Sequence, residues 1–141
     1  MSESRASAFL IDIDGVVLKD DEALPGAREL VEWLLASSRR FLFLTNYPSQ
    51  TPGDLAGRLG GSGIEVPPSH FFTSAMATAE FLDNQAGTRR RAFVVGEGAL
   101  VHELYKIGFT ISETDVDFVV LGETRHFNFE MIQRAAALIQ R

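Results

Sequence analysis

The sequence predicts an α/β protein with a mostly parallel sheet, because short apolar strand-like runs alternate with helical patterns along the whole chain. Two of these runs, residues 8–13 and 41–45, are almost entirely apolar, which is typical of strands buried on both faces of a parallel sheet. The composition is consistent with a globular fold, because 45% hydrophobic and 23% charged residues in a chain of 141 are typical of globular proteins.

Each predicted element rests on hydrophobic periodicity and on residues that start or stop helices. In the first half, Pro25 opens one helix, and Thr51 followed by Pro52 is a typical N-cap and first helical residue of the next. In the second half, Gly108 is placed to end one helix and Asn128 to cap the last. The predicted elements are strands over residues 8–13, 41–45, 92–95 and 117–121, and helices over about 25–38, 52–60, 73–84, 98–107 and 129–141.

A basic, turn-like stretch at residues 87–91 divides the chain into two parts. It follows the third predicted helix and precedes a new strand. We place the domain boundary here, so that residues 1–89 form one domain and residues 90–141 form another.

The composition excludes several kinds of function. The chain has no cysteine, and therefore no disulfide, thiolate metal site or cysteine nucleophile. Its net charge of −6 argues against a basic nucleic-acid surface, and no apolar run approaches the ~20 residues of a membrane helix. Asp12 and Asp14 interrupt the apolar run near the start, which argues against a signal peptide and favours a cytoplasmic protein. We expect a small-molecule partner, with neither nucleic acid nor membrane.

Two aspartates and a glycine at the end of the first predicted strand are the strongest functional signal. Side chains alternate along a strand, so Asp12 and Asp14 lie on the same side of it. They also lie at the carboxyl end of the strand, where open parallel sheets bind ligands. Two carboxylates there can hold Mg²⁺, which prefers oxygen ligands, and Gly15 allows a sharp turn beside the ligand. The pattern therefore favours a functional site over the plainer interpretation of polar chain leaving a strand.

A second polar pair, Thr45 and Asn46, follows the next predicted strand. A hydroxyl and an amide at the carboxyl end of a strand can bind a phosphate oxygen, although both residues are also common in turns. One helix separates this strand from the first, so the two strands are expected to be parallel neighbours. That pairing would bring Thr45 and Asn46 beside Asp12.

The two motifs together resemble the first two motifs of the haloacid-dehalogenase-like phosphatases. Longer stretches are similar to the NagD-type (class IIA) nucleotide phosphatases of that superfamily, and they extend from about residue 8 to the end of the chain. These stretches read LTNYPSQT, TSAMATAEFL, VVGEGALVHELYKIGFTI and DFVVLGETR. The resemblance implies a Rossmann-like core, of which residues 1–89 supply the first part. Residues 90–141 would then be the first part of an inserted α/β cap.

The resemblance also implies a role for each candidate residue. Asp12 would be the nucleophile that becomes an aspartyl-phosphate, and Asp14 the general acid and then the general base. Asp12 and Asp14 would hold Mg²⁺, with Asp14 contributing its backbone carbonyl. Thr45 and Asn46 would bind the transferring phosphoryl group. The implied substrates are nucleoside 5′-monophosphates or small sugar phosphates.

Two further motifs of that family are missing from this sequence. One is a lysine in a Gly-Lys-Pro context, and the other is a late Gly-Asp pair with a further aspartate. Lys19 and Lys106, the only lysines, lie elsewhere, and the only Gly-Asp pair is at Gly53 and Asp54, where a helix begins. The sequence therefore resembles the amino-terminal half of such an enzyme, and we expect this chain to have little or no activity alone.

The alternative function is a non-catalytic module of the same fold that binds a phosphate or nucleotide without turnover. A receiver-type signalling domain is disfavoured because no lysine follows a late strand.

In the fold of the haloacid-dehalogenase-like family, which this sequence resembles, the first strand lies in the centre of the sheet. With no later strands in the sequence, the outer edge of residues 8–13 is expected to be exposed, which predicts a homo-oligomer or poor solubility.

Overall fold

The computed structural model describes residues 8–47 and 49–140, which fall into two compact units. The first unit contains the chain up to Asn46 together with Gln50–Thr73, and the second contains Ser74 onward together with Tyr47 and Ser49. The division into core and cap at residues 89 and 90 stays a prediction.

The strands are β1 (Ala8–Asp12), β2 (Leu18–Lys19), β3 (Glu22–Ala23), β4 (Arg40–Thr45), β5 (Phe71–Thr73), β6 (Arg91–Val95), β7 (Thr110–Ile111) and β8 (Phe118–Leu121). The α-helices are α1 (Ala27–Ala36), α2 (Pro52–Gly61), α3 (Ser74–Ala86), α4 (Gly98–Lys106) and α5 (Phe129–Ile139).

The first unit is built on a parallel sheet with the strand order β1-β4-β5. The prediction that the first two long strands are parallel neighbours is confirmed, since Phe9 pairs with Phe41 and Asp12 with Leu44. Among the described residues β1 pairs with β4 alone within this sheet, so β1 is an edge strand. A separate antiparallel hairpin, β2-β3, follows β1.

Helices α1 and α2 supply the buried side chains that pack with the sheet in this unit. Val31 and Leu34 of α1 and Leu55 and Leu59 of α2 join one core with the strand residue Phe43. Hydrophobic periodicity places Leu30 and Leu35 on the same face of α1 as Val31 and Leu34, but they are 38% and 40% exposed. These two positions flank the buried stripe of α1, and a helix packed on one side covers only part of a wide apolar face.

The predicted start of α2 is confirmed in detail. Thr51 is the N-cap and Pro52 is the first helical residue. The Thr51 hydroxyl accepts a hydrogen bond from the Asp54 N–H, and the Asp54 carboxylate accepts one from the Thr51 N–H at 2.8 Å. This capping box satisfies two backbone donors that the first turn of a helix leaves open.

The second unit has a second parallel sheet with the strand order β7-β6-β8. Helices α3 and α4 share a core with β6 that includes Leu82, Ala92, Leu100 and Leu104. The predicted cap of α5 is confirmed, because the Asn128 side chain accepts a hydrogen bond from the Met131 N–H at 2.9 Å.

Helix α5 buries only a small part of its apolar face. Ala135 is 5% exposed, whereas Ile132 and Ile139 are 56% and 67% exposed. The helix therefore presents an apolar face that no described residue covers.

Four short elements were not predicted from the sequence. They are the β2-β3 hairpin, the strands β5 and β7, and a 3₁₀ helix at Pro68–His70, and each of these strands and the 3₁₀ helix is two or three residues long. A run this short contains at most one alternation of side chains, so hydrophobic periodicity cannot reveal it. Within the described part of the chain, no helix combines the length and apolar character that a membrane span requires.

Candidate active site

The carboxyl end of β1 carries both predicted aspartates. Asp12 is the last residue of the strand, and its Oδ1 accepts a hydrogen bond from the Ile13 N–H at 2.8 Å. Asp14 lies two residues further on, and both aspartates are exposed while Ile13 between them is fully buried. The alternation predicted for the extended segment is therefore preserved, with the carboxylates outside and isoleucine in the core.

A tight turn follows the aspartates and fixes where they stand. The Ile13 carbonyl accepts hydrogen bonds from the N–H groups of Val17 and Leu18, both at 2.9 Å. Gly15 has φ of +82°, a left-handed conformation that glycine adopts without strain, and its N–H donates to the Leu18 carbonyl at 2.7 Å. Val17 and Leu18 are buried, which anchors the turn in the core of the first unit.

The carboxyl end of β4 lies next to that of β1. Asp12 pairs with Leu44, the residue before Thr45, so Thr45 and Asn46 leave the sheet beside the aspartates. Thr45 is 6% exposed and is one of three buried polar or charged residues that the described chain contains, whereas Asn46 is exposed. The four candidate residues thus come from the ends of two adjacent parallel strands, the position at which open α/β sheets bind ligands.

A cation that the sequence did not predict, Arg58, touches this site. Arg58, on α2, donates from Nη2 to Asp14 Oδ1 at 3.0 Å and from Nε to Asp21 Oδ1 at 2.9 Å. The hydrogen bond with Asp21 raises the pKa of Arg58 above its ordinary value, burial opposes that shift, and Asp14 adds to it. No sequence motif marks Arg58, since 44 residues separate it from Asp14.

The oxygen donors at the end of β1 fit a hard divalent cation. Asp12 Oδ1 accepts a hydrogen bond from the Ile13 N–H, and the exposed carboxylate still has a second oxygen, Oδ2, that can coordinate a cation. The Asp14 carboxylate is paired with Arg58, and the backbone carbonyl of Asp14 is the ligand that the family resemblance implies. Residues 8–47 and 49–140 contain no cluster of three or more acidic, histidine or cysteine side chains that would enclose a metal. Two protein oxygens suffice for Mg²⁺ when water and a phosphate supply the other ligands.

The second unit contains a polar cavity of about 270 Å³. Its walls include Glu97 and Glu123, which each follow a strand, and its full lining is Tyr47, Ser49, Glu97, Glu123, Thr124, Arg125 and His126. The Thr124 hydroxyl donates a hydrogen bond to Glu97 Oε1 at 2.7 Å, and this bond lowers the pKa of Glu97 below its ordinary value. Burial opposes the shift, whereas the Arg125 backbone and the charges of His126 and Arg125 lower the pKa further. The cavity is therefore lined by an ionised carboxylate next to a cationic arginine.

Comparison with known proteins identifies the family. A sequence model of the haloacid dehalogenase-like hydrolases matches residues 9–110, which is most of the chain and includes both strand ends described above. The chain belongs to the haloacid dehalogenase-like hydrolase family. The resemblance to this family and to its NagD-type members, expected from the motifs, is confirmed.

Several relatives within the haloacid dehalogenase-like family are phosphatases. The chain is 52% identical over 130 residues to the ribonucleotide monophosphatase NagD of Escherichia coli strain K12, covering 92% of this chain and 51% of NagD. It is 43% identical over 134 residues to a dihydroxyacetone phosphatase of Corynebacterium glutamicum strain R, covering 94% of this chain and 48% of that protein. The chain thus spans about half the length of the curated relatives it matches.

Solved structures of the family share the fold. The structure of NagD from the E. coli K-12 strain aligns with a TM-score of 0.90 at 50% identity, covering 94% of this chain and 52% of NagD. A glycerol phosphate phosphatase from Mycobacterium tuberculosis, solved in complex with magnesium, aligns with a TM-score of 0.84 at 29% identity, covering 95% of this chain and 41% of that structure. The predicted α/β class with parallel sheets is confirmed by these matches.

Proposed function

We propose that this chain supplies the nucleophile and the phosphate-binding loop of a Mg²⁺-dependent phosphomonoesterase. The observation that carries the proposal is the convergence of Asp12 and Asp14 with Thr45 and Asn46 at the ends of two paired strands. The phosphatase relatives support the reaction class.

In the proposed first step, a carboxylate oxygen of Asp12 attacks the phosphorus atom of a phosphate monoester. The bond from phosphorus to the ester oxygen breaks, and Asp14 donates a proton to the departing alcohol. The product on the protein is an aspartyl-phosphate at Asp12. A covalent intermediate divides one difficult displacement into two easier ones.

In the proposed second step, water attacks the phosphorus of the aspartyl-phosphate. Asp14 accepts the proton from this water, the bond from phosphorus to Asp12 breaks, and inorganic phosphate leaves. Asp14 thereby returns to its protonated form, so the cycle neither gains nor loses a proton on the protein.

Thr45 and Asn46 are proposed to bind the oxygens of the phosphoryl group. Their position beside Asp12 would orient the phosphorus for attack and would stabilise the negative charge on its oxygens. The Asp12 carboxylate and the Asp14 carbonyl are the proposed ligands of Mg²⁺. When bound, Mg²⁺ would offset the repulsion between a carboxylate nucleophile and a phosphate dianion.

The proposed substrate is a small phosphomonoester, either a nucleoside 5′-monophosphate or a sugar phosphate. The named activities of the relatives include both a ribonucleotide monophosphatase and a dihydroxyacetone phosphatase. Action in the cytoplasm and on a small metabolite, without nucleic acid or membrane, remains part of the proposal.

A phosphoryl mimic tests whether Asp12 is the acceptor. Beryllofluoride with Mg²⁺ imitates a phosphoryl group on a carboxylate, and calorimetry measures whether the 141-residue chain binds it. We expect binding by the parent chain and by Asp115→Asn, and no binding by Asp12→Asn. Asp115 is a matched control because Asp115 and Asp117 form a second Asp-x-Asp sequence. The Asp115 side chain is 86% exposed beside Arg91 in the second unit. Equal binding by Asp12→Asn would reject Asp12 as the acceptor.

The same samples, given UMP and Mg²⁺, show whether binding is accompanied by turnover. We expect phosphate release no faster than in Asp12→Asn, because the sequence lacks the lysine and late aspartates of the family, and residues that act as a unit lose most of the rate when one is missing. Release well above that control would overturn the expected inactivity. Binding without turnover both by this chain and by any longer form of the protein would favour the non-catalytic binding module.

A further inference from the structure

The guanidinium of Arg58 connects three separate segments of the first unit. It reaches from the last turn of α2 to the Asp14 carboxylate, to the Asp21 carboxylate and to the Asp20 carbonyl. Its side chain is only 19% exposed, whereas Asp14 and Asp21 are 48% and 85% exposed. The cation is therefore held in the protein while its partners lie at the surface.

The segment that Arg58 holds is the hairpin of β2 and β3, residues 18–23, which we call the flap hairpin. It has only two residues in each strand, and a hairpin of this size is not stable without contacts to other elements. The base is fixed by the buried Leu18 and by a hydrogen bond from the Leu24 N–H to the Val17 carbonyl at 2.9 Å.

The tip of the flap hairpin, by contrast, is held through polar contacts with α2. Besides the bonds from Arg58, the Ser62 hydroxyl donates to the Asp21 carbonyl at 2.7 Å. Asp20 adopts a left-handed conformation with φ of +57°, which is uncommon for a residue with a side chain. These contacts favour one arrangement of a tip that has no apolar anchor.

The planar fork of an arginine suits this arrangement. Nε and Nη2 point in fixed directions, so the bond to Asp21 and the bond to Asp14 are geometrically coupled. A movement of the hairpin tip away from α2 would therefore release the restraint on the Asp14 carboxylate as well.

We infer that Arg58 is a positioning residue that couples the flap hairpin to Asp14, so that its bonds together set the position of the hairpin tip and the orientation of the proton-transfer carboxylate. The role given to Asp14 rests on the proposed function, whereas the coupling itself does not. Nothing in the sequence motifs assigns Arg58 this part.

The coupling is tested by amide hydrogen exchange in the 141-residue chain without metal or phosphate. In Arg58→Ala we expect exchange of the hydrogen-bonded amides of residues 15–24 to accelerate by about tenfold or more, since bonds to charged groups are strong. The amides of β4 and α1 should keep their rates. Arg58→Lys should restore less than half of the lost protection on a logarithmic scale, because one ammonium cannot reproduce the two directed bonds.

Two further variants separate the coupling from general stability. Arg134→Ala is the matched control, because Arg134 also pairs with two carboxylates, those of Glu113 and Glu130, but lies in the second unit. We expect it to leave residues 15–24 unchanged. Asp21→Ala, at an exposed position, should accelerate exchange at the hairpin without altering α2. Uniform acceleration across the core in Arg58→Ala, or no change at residues 15–24, would overturn the inference.

Carbon-13 NMR of the aspartate carboxylates, at one fixed pH, tests the second half of the coupling. We expect Arg58→Ala to shift the Asp14 carboxyl resonance and to leave that of Asp12 in place. A loosened hairpin with an unchanged Asp14 resonance would make Arg58 a structural residue of the flap only. A chain that fails to bind beryllofluoride would instead contradict the proposed function and leave these two measurements valid.

Discussion

Thr51 and Asp54, three residues apart, cap the start of α2, the helix that carries Arg58. Two hydrogen bonds that the Asp54 carboxylate accepts lower its pKa below the ordinary value of 3.8. The larger effect comes from the Thr51 hydroxyl and the smaller from the Thr51 N–H. The pKa in the folded chain is therefore lower than in the unfolded chain, so ionised Asp54 stabilises the fold above about pH 3.8. This contribution is lost as the pH falls through the lowered value.

Replacing Thr51 by alanine should therefore destabilise the first unit in a pH-dependent way. Loss of the N-cap is expected to cost about 1 kcal/mol of unfolding free energy at pH 7. The difference from the parent chain should shrink below pH 3.8, where Asp54 is protonated in the unfolded state. Urea titrations at pH 7 and at pH 3 measure both effects, with Thr88→Ala, in an exposed turn, as the control. A difference that is equal at the two pH values would contradict the part assigned to Asp54.

Within an element, burial separates residues that the sequence treats alike. Leu34 and Leu35 are neighbours in α1, and both lie on the apolar face predicted from the sequence. Leu34 is fully buried in the core of the first unit, whereas Leu35 is 40% exposed. The two leucines therefore form a matched pair for measuring how much the packing of α1 stabilises the sheet.

Leu34→Ala should destabilise the chain by about 2–5 kcal/mol, because it removes a fully buried side chain and leaves a cavity. Leu35→Ala should cost less than about 1 kcal/mol, since much of that side chain already contacts water. Chemical denaturation of both variants gives the comparison directly. Equal costs would mean that the described packing of α1 is wrong.

At the scale of the whole molecule, strand β1 exposes unpaired backbone and helix α5 exposes apolar side chains. Strand β1 is an edge among the described residues, and its Leu10 is 69% exposed. Helix α5 exposes Phe129 at 72% and Ile132 at 56%. An edge strand and an apolar helix face of this kind favour association between chains.

The chain is accordingly predicted to self-associate at micromolar concentration, in agreement with the homo-oligomer expected from its sequence. Light scattering should give a mass above that of one chain. Leu10→Lys and Ile132→Lys together should shift the mass towards the monomer, since a lysine disfavours edge pairing and charges the helix face. Leu35→Lys, which removes an exposed leucine of α1, is the control and should change nothing. A parent chain that is monomeric throughout would refute this prediction.

The sequence by itself determined the fold class and most of the long elements, because their signals are local. The Asp-x-Asp pair, the Thr51 cap and the Asn128 cap each depend on residues within four positions of one another, and the structure has both caps where they were predicted. The neighbouring positions of Asp12 and Thr45 followed from two apolar strands separated by one helix. The roles of these residues in catalysis stay predictions.

Only the tertiary structure decided which residues share a contact across long separations. Arg58 reaches Asp14 from 44 residues away, and its position on α2 became significant only when that helix packed beside the flap hairpin. The structure likewise decided that Leu34 is buried and Leu35 is not, and that α5 keeps most of its apolar face exposed. A sequence pattern specifies which face of an element is apolar, but burial depends on the neighbouring elements that cover it.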